Sequence, residues 1–275
     1  LLQAIALTLA GPRALRTALC DTSTWKRQTA KHKEASVVLW LERDPLCDPQ
    51  QGKGAPSKAA LEIGLVWPPT ESSVLPYLFL NEKQGARGPW SQKDGWFLAG
   101  YGPFRRLSGH STDAASVMAP GAAAPELATL FREDASLAEG VQMLRGVYLR
   151  RLENKPGAAE LEKGMIALLN DGLLPGGLQV LKIDGEALWV RGAGGATLPL
   201  SSISDGHRAT VAPVLDLLYQ MCRFFPDFHI DYAPDGSPQA PYSGVVLIDE
   251  LELHLHPSWQ QTLGFWLKKH FPRIQ

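Results

Sequence analysis

The sequence predicts an α/β fold: a mixed sheet with flanking helices, a β-rich lobe at about residues 35–107 and a helical insertion at about 114–175. Three observations predict it. Val245–Ile248 is an apolar run without alternation, which suits a parallel strand covered on both faces, and Asp249 and Glu250 follow it at once. Four further runs between residues 36 and 102 are rich in β-branched and aromatic residues, with Pro/Gly-rich turns between them. From Glu126 to Leu174 the apolar residues return at spacings of three and four, the period of a helix with one buried face.

The chain opens on LLQAIALTLAG, where Leu1, Ile5, Leu7 and Leu9 with Ala4, Ala6 and Ala10 read as a buried helix ended by Gly11 and Pro12. The start lacks the basic n-region of a secretory segment and has no clear cleavage site, so a buried helix is the easier reading. The expected strands are 37–42, 60–67, 77–82 and 95–102, and CDPQQGKGAPSK at 47–58 reads as a long polar hairpin loop. Ala114–Pro125 is nearly all Ala, Gly, Ser and Pro, which marks a linker. Beyond it come the helical stretches LATLF, SLAEGVQMLRGVYLRRLE and AAELEKGMIALLNDGLL; the second has an apolar face of Leu137, Val141, Leu144, Val147 or Tyr148, and Leu152. Residues 178–192 form a hairpin around Asp184-Gly185, a strong short turn signal. Residues 178–275 hold the motifs that carry chemistry, and no internal repeat is present.

Composition bounds the function classes. The 275 residues are 45 % hydrophobic and 20 % charged with a net charge of -1, an ordinary globular profile without global attraction to nucleic acid. No apolar run approaches the ~20 residues of a membrane span. Cys20, Cys47 and Cys222 are scattered without a CxxC pair, which fits a reducing, cytoplasmic setting.

The strongest motif is SGVVLIDELELHLHPSW, Ser243–Trp259. Ligands of open α/β sheets bind beyond the carboxyl ends of the strands, so Asp249 and Glu250 stand where phosphates are held. Asp249 is the candidate metal residue, able to hold the water shell of Mg²⁺; Glu250 is the candidate catalytic residue that orients or deprotonates a water. An apolar strand ending in a solvated acidic turn is the plain structural alternative. His254 and His256 form an HxH pair, but two imidazoles need a third ligand and no neighbouring Cys/His cluster supplies one. Pro257 is suited to the first position of a following helix.

The second motif is LPLSSISDGHRATVAPVLDLLYQM, Leu198–Met221. Ser204 and Gly206 open a helix with an apolar stripe of Val211, Val214, Leu215, Leu217 and Leu218, and such a start offers a hydroxyl, close backbone approach and unpaired N–H groups to an anion. Simple capping is the alternative reading. Arg208 in the first turn opposes the helix dipole, which suggests an anion nearby. In FLAGYGPFRRLSG, Phe97–Gly109, paired arginines after a glycine turn place Arg105 or Arg106 near phosphate or nucleic acid, or simply in a solvated turn.

These segments together resemble an ABC-type ATPase head of the P-loop NTPase class, closest to the defence-associated, overcoming-lysogenization-defect-like and SMC-related ATPases. LELHLHPSWQQTLGFWLKKHFPRIQ is similar to the segment after the Walker B acids there, with Leu253–His256 as the D-loop, and ISDGHR resembles the LSGGQ-type signature in its LSDGxR form. The departures are Ile203, Asp205 and His207, and an acid so near a triphosphate leaves the role of Asp205 open. No GxxxxGK[ST] occurs, whereas LLQAIALTLAG resembles the helix after that loop, so the resemblance implies a sequence that starts just past its Walker A motif.

The resemblance spans Leu1–Gln275 as one ATPase domain. It implies ATP and Mg²⁺ as cofactors, with Ser204, Gly206, Arg208, His256 and Arg105 on the nucleotide, and two heads closing on ATP as a homodimer or higher oligomer. The expected role is to switch a partner effector, a nuclease or toxin, in anti-phage defence or genome maintenance, with nucleic acid a possible further partner. The rival readings are a degenerate nucleotide-binding scaffold without hydrolysis and a metal-dependent hydrolase using His254, His256 and Asp249.

Overall fold

The computed structural model describes residues 1–16, 25, 34–42, 44, 60–68, 77–80, 83–84, 96–104, 124–192, 194–253, 255 and 257–275. The expected hairpin loop at 47–58, nearly all of the linker at 114–125, Arg105 and Arg106, His254 and His256 lie outside the described residues. The chain forms two compact units.

The first unit holds residues 1–102, 112–133 and 245–249. Its N-terminal helix, Leu2–Ala10, ends as the sequence predicts: Gly11 takes φ 83°, and its N–H reaches the Leu7 carbonyl at 3.0 Å. Ala4, Ala6, Leu7 and Leu9 are buried in one core with Ile63, Leu65, Trp67 and Leu78 of an antiparallel sheet. Each leucine so buried contributes about 1.5–3 kcal/mol. That sheet runs 35–41, 61–67, 77–80 and 83–84 in spatial order, with Ala35 opposite Trp67 and Leu41 opposite Leu61.

The fourth strand expected in the lobe is not in this sheet. Leu98–Tyr101 instead pairs in parallel with Val245–Ile248, Leu98 beside Val245 and Tyr101 beside Ile248. All four residues of Leu98–Tyr101 are buried, which suits a parallel strand better than the half-solvated lobe. The segment 125–131, a 3₁₀ turn followed by a short helix, covers this strand: Leu127 and Leu130 are buried, and Thr129 Oγ1 donates to the Gly100 carbonyl at 3.2 Å.

The second unit holds residues 103–111, 134–244 and 250–275. Helices Ala138–Leu152 and Ala158–Asn170 pack together, tied by the Arg151–Glu162 ion pair at 2.5 Å. Leu144 and Val147 are buried as expected; Leu152, assigned above to the same apolar face, is 54 % exposed on the solvated last turn. Asn170 then clips helix to strand, its side-chain amide donating to the Val180 carbonyl while its oxygen accepts the Val180 N–H.

The hairpin of Gln179–Ile183 and Leu188–Arg191 forms with a bulge between Val180 and Lys182, and Thr197–Pro199 adds a third strand. Asp184 makes the turn, accepting from the amides of Glu186 and Ala187. The Lys182 ammonium is the largest influence holding its carboxyl below the usual carboxylate range.

Helix Asp205–Phe224 buries Val211, Val214, Leu215, Leu217 and Leu218, the predicted stripe. It crosses the helix 138–152 at Gly140, where a Cβ would lie 2.7 Å from the Leu215 carbonyl carbon. After Pro257 the expected helix is split into Pro257–Gln260 and Leu263–His270. Close to the start of the strand Val245–Ile248, Ile274 stands beside Gly244 in a parallel bridge.

Candidate functional site

The acidic pair is positioned by backbone hydrogen bonds. Val245 N–H donates to the Phe97 carbonyl at 3.0 Å and Asp249 N–H to the Tyr101 carbonyl at 2.8 Å, so the parallel ladder holds the main chain through Asp249. Tyr101 is buried, and the next residue, Gly102, lets the chain pass the Thr129 carbonyl: a Cβ there would fall 2.1 Å from that oxygen. Asp249 is therefore a partly exposed carboxylate at the carboxyl end of a pinned strand.

Glu250 follows with φ 45°, in the left-handed region that non-glycine residues rarely adopt. Among the described residues Asn154 alone shares that property without being glycine. The strain is held by a turn: Leu253 N–H donates to the Glu250 carbonyl at 2.9 Å, and Leu255 N–H to the Glu252 carbonyl at 3.2 Å. Glu250 is exposed at the head of this turn. Strained backbone of this kind costs of order 1–3 kcal/mol and persists where the surroundings over-determine it. Sequence reasoning does not single out Gln260, yet its side-chain amide reaches the carbonyls of Glu252 and Leu255 at 3.4 Å and braces the same loop. Its place in the turn after Pro257 is the only signal the sequence offers for it. Leu255 and Trp259 anchor the loop in the core.

The second candidate group is built on the start of helix 205–224. Ser204 is the N-cap residue, its carbonyl accepting the Arg208 N–H at 3.1 Å, but no side chain caps the helix. The Ser204 hydroxyl instead shares a 2.5 Å hydrogen bond with His207 Nδ1. Thr210 Oγ1 bonds back to the Gly206 carbonyl at 2.9 Å. The first-turn amides thus stand without a side-chain cap beside an exposed hydroxyl. Arg208 is engaged locally: one guanidinium nitrogen pairs with the Asp205 carboxylate and the other donates to the Ser201 carbonyl at 3.2 Å.

The structure brings Ser204, Asp205, His207 and Arg208 together at one helix start, and puts Asp249 and Glu250 together at one strand end. Arg105 and His256, also candidates, lie outside the described residues. Among the described residues no group of three or more His, Cys, Asp or Glu side chains could hold a metal ion, and no helix is long and apolar enough to cross a membrane. Burial pushes the Cys222 thiol up to about 12, which favours its protonated form.

Comparison with known proteins meets this geometry in the second half of the chain. Residues 132–275, just over half of it, match the family described as "AAA domain, putative AbiEii toxin, Type IV TA system". The chain is 36 % identical over 81 residues to the retron Vc95 probable ATPase of Vibrio cholerae serotype O1 biovar El Tor, covering 30 % of this chain and 14 % of that protein. It is 36 % identical over 80 residues to the retron Ec83 probable ATPase of Escherichia coli, covering 29 % and 13 %. It is 33 % identical over 76 residues to the Septu protein PtuA of Bacillus mycoides strain KBAB4, covering 28 % and 9 %. The matched segments span only about a tenth of the length of these relatives.

Proposed function

The chain belongs to this AAA-domain family, and on that premise we propose that it is part of an ATPase head that binds and hydrolyses ATP with Mg²⁺. The observation that carries the reading is the strand end: a ladder pinned through Asp249, followed by Glu250 on strained left-handed backbone. Those residues fit the metal side of a nucleotide site. Asp249, partly exposed and fixed at its backbone, would hold the water shell of Mg²⁺, whose charge offsets that of the phosphates. Glu250 would hold the attacking water and accept its proton, with the strained turn fixing where its carboxylate points.

The helix start at Ser204 supplies the complementary chemistry. Uncapped amides at the positive end of a 20-residue helix, with the Ser204 hydroxyl and the close backbone approach allowed at Gly206, suit a terminal phosphate. In the ABC-type reading this turn serves the nucleotide of a second copy, so that two heads close on ATP and open after hydrolysis. The relatives named as probable ATPases and as a Septu protein support a place in defence, where that cycle would gate a partner effector, a nuclease or toxin.

The test is Mg²⁺-dependent ATP turnover by the complete protein. Asp249→Asn should remove the Mg²⁺-dependent part of the rate while leaving the folded state intact. Turnover with unchanged Mg²⁺ dependence in that variant would sink the assignment.

A further inference from the structure

Asp205 puts a carboxylate at a helix start that the proposed function assigns to phosphate, one helical turn from a cation that opposes the helix dipole. The acid suits the helix dipole but opposes a phosphate, and the cation does the reverse; the geometry joins them. The Arg208 guanidinium pairs with the Asp205 carboxylate and also donates to the Ser201 carbonyl at 3.2 Å, which anchors it on the preceding 3₁₀ turn, Leu200–Ser202. Asp205 is highly exposed, its side chain at 90 %, whereas Arg208 is at 32 %. The cation is therefore held at two points and partly covered, whereas the acid stands out in solvent.

We propose that Arg208 is a positioning residue that neutralises Asp205 and holds its carboxylate away from the anion path, rather than a ligand of the phosphate itself. The inference rests on the reading of Ser204–Gly206 as a phosphate-facing turn. Arg208 already commits two of its nitrogens to Asp205 and Ser201, and turning to an anion would release an unscreened carboxylate beside that anion. Two like charges several ångströms apart repel, and salt screens that repulsion. A direct phosphate ligand and a screen for Asp205 thus predict the same loss on removing Arg208, and opposite results once the acid is also gone.

The experiment measures ATP-driven association of the complete protein, by light scattering or sedimentation, for wild type, Arg208→Gln, Asp205→Asn, the double variant and Ser204→Arg. The expected result is that Arg208→Gln weakens association about tenfold, the scale of one unscreened charge, and that added salt narrows the deficit. Asp205→Asn should be close to wild type, and the double variant should recover to it. A double variant as impaired as Arg208→Gln overturns the proposal and makes Arg208 a direct ligand. Unchanged thermal transitions in all variants keep the comparison one of binding. If wild type does not associate with ATP, or Ser204→Arg associates normally, the phosphate-facing reading fails first and takes the screening role with it.

Discussion

The Asp249 amide donates to the carbonyl of Tyr101 at 2.8 Å, which carries the parallel ladder one residue past the Ile248–Tyr101 pair. The ladder hydrogen bond therefore reaches the residue proposed to serve Mg²⁺, and Glu250 departs immediately afterwards at φ 45°. A fixed acid followed by an acid on a strained turn is an arrangement for holding two carboxylates in different places although they are neighbours in sequence.

Replacing the second acid tests that arrangement. Glu250→Gln should lower ATP turnover by on the order of 10²-fold or more while ATP binding persists, because the group proposed to accept the proton from water is lost. Rapid-quench turnover alongside equilibrium nucleotide binding reads the two separately. Unchanged turnover removes Glu250 from the chemistry.

The strain makes a second, independent prediction. Glu250→Gly should raise thermal stability, by about 1 kcal/mol, since glycine occupies positive φ without the Cβ penalty. The same variant should be inactive in turnover. A fall in the melting temperature would mean that the glutamate side chain, not the turn, stabilises this loop.

At the helix start, Ser204→Arg should block ATP-driven association of two heads while each head still binds nucleotide. The added side chain fills the space beside the uncapped amides that a second copy's phosphate would occupy. Loss of nucleotide binding by the isolated head would put the turn in the wrong subunit's site.

The crossing at Gly140 gives a stability test free of nucleotide. Gly→Ala in a helix interior ordinarily gains up to ~1 kcal/mol, but here a Cβ would meet the Leu215 carbonyl carbon at 2.7 Å and the Asp216 nitrogen at 2.8 Å. Those are backbone atoms of a packed helix and cannot swing aside. Gly140→Ala should therefore destabilise by roughly 1–3 kcal/mol in urea unfolding. A gain in stability would show that the two helices slide apart at no cost.

His270 sets a pH dependence. It is fully buried; its Nδ1 donates to the Pro238 carbonyl at 2.6 Å, and its Nε2 lies 3.4 Å from the Asp171 carboxylate, which Lys269 also pairs at 2.7 Å. Burial outweighs the favourable influence of Pro238 and Asp171 and holds the imidazole below its ordinary value. The unfolded chain then takes up the proton first. Stability is fully present above the unfolded value near 6.5 and is lost as pH falls below it toward the folded value. His270→Gln should flatten the change in urea midpoint between pH 7.5 and 5.5. An unaltered pH dependence would mean that other groups govern it.

Much of this was legible in the residues because it depends on near neighbours. The apolar run Val245–Ile248 with two acids after it, the Gly11 stop, the Asp184-Gly185 turn and the buried stripe from Val211 to Leu218 all follow from strand and helix periods and from the chemistry of turns, which act over a few residues. What those signals could not carry was the choice of partner. Leu98–Tyr101 has the composition of its three upstream neighbours, yet it leaves their antiparallel sheet to lie beside a strand far along the chain, since hydrogen-bond register is settled between segments and not within one. The same holds at the candidate site. That Asp205 and Glu250 are acids is in the sequence; that one is paired by Arg208 and the other held on left-handed backbone by the turn through Leu253 was decided only when the chain folded, because a charge's partner and a residue's φ are set by the atoms packed around them.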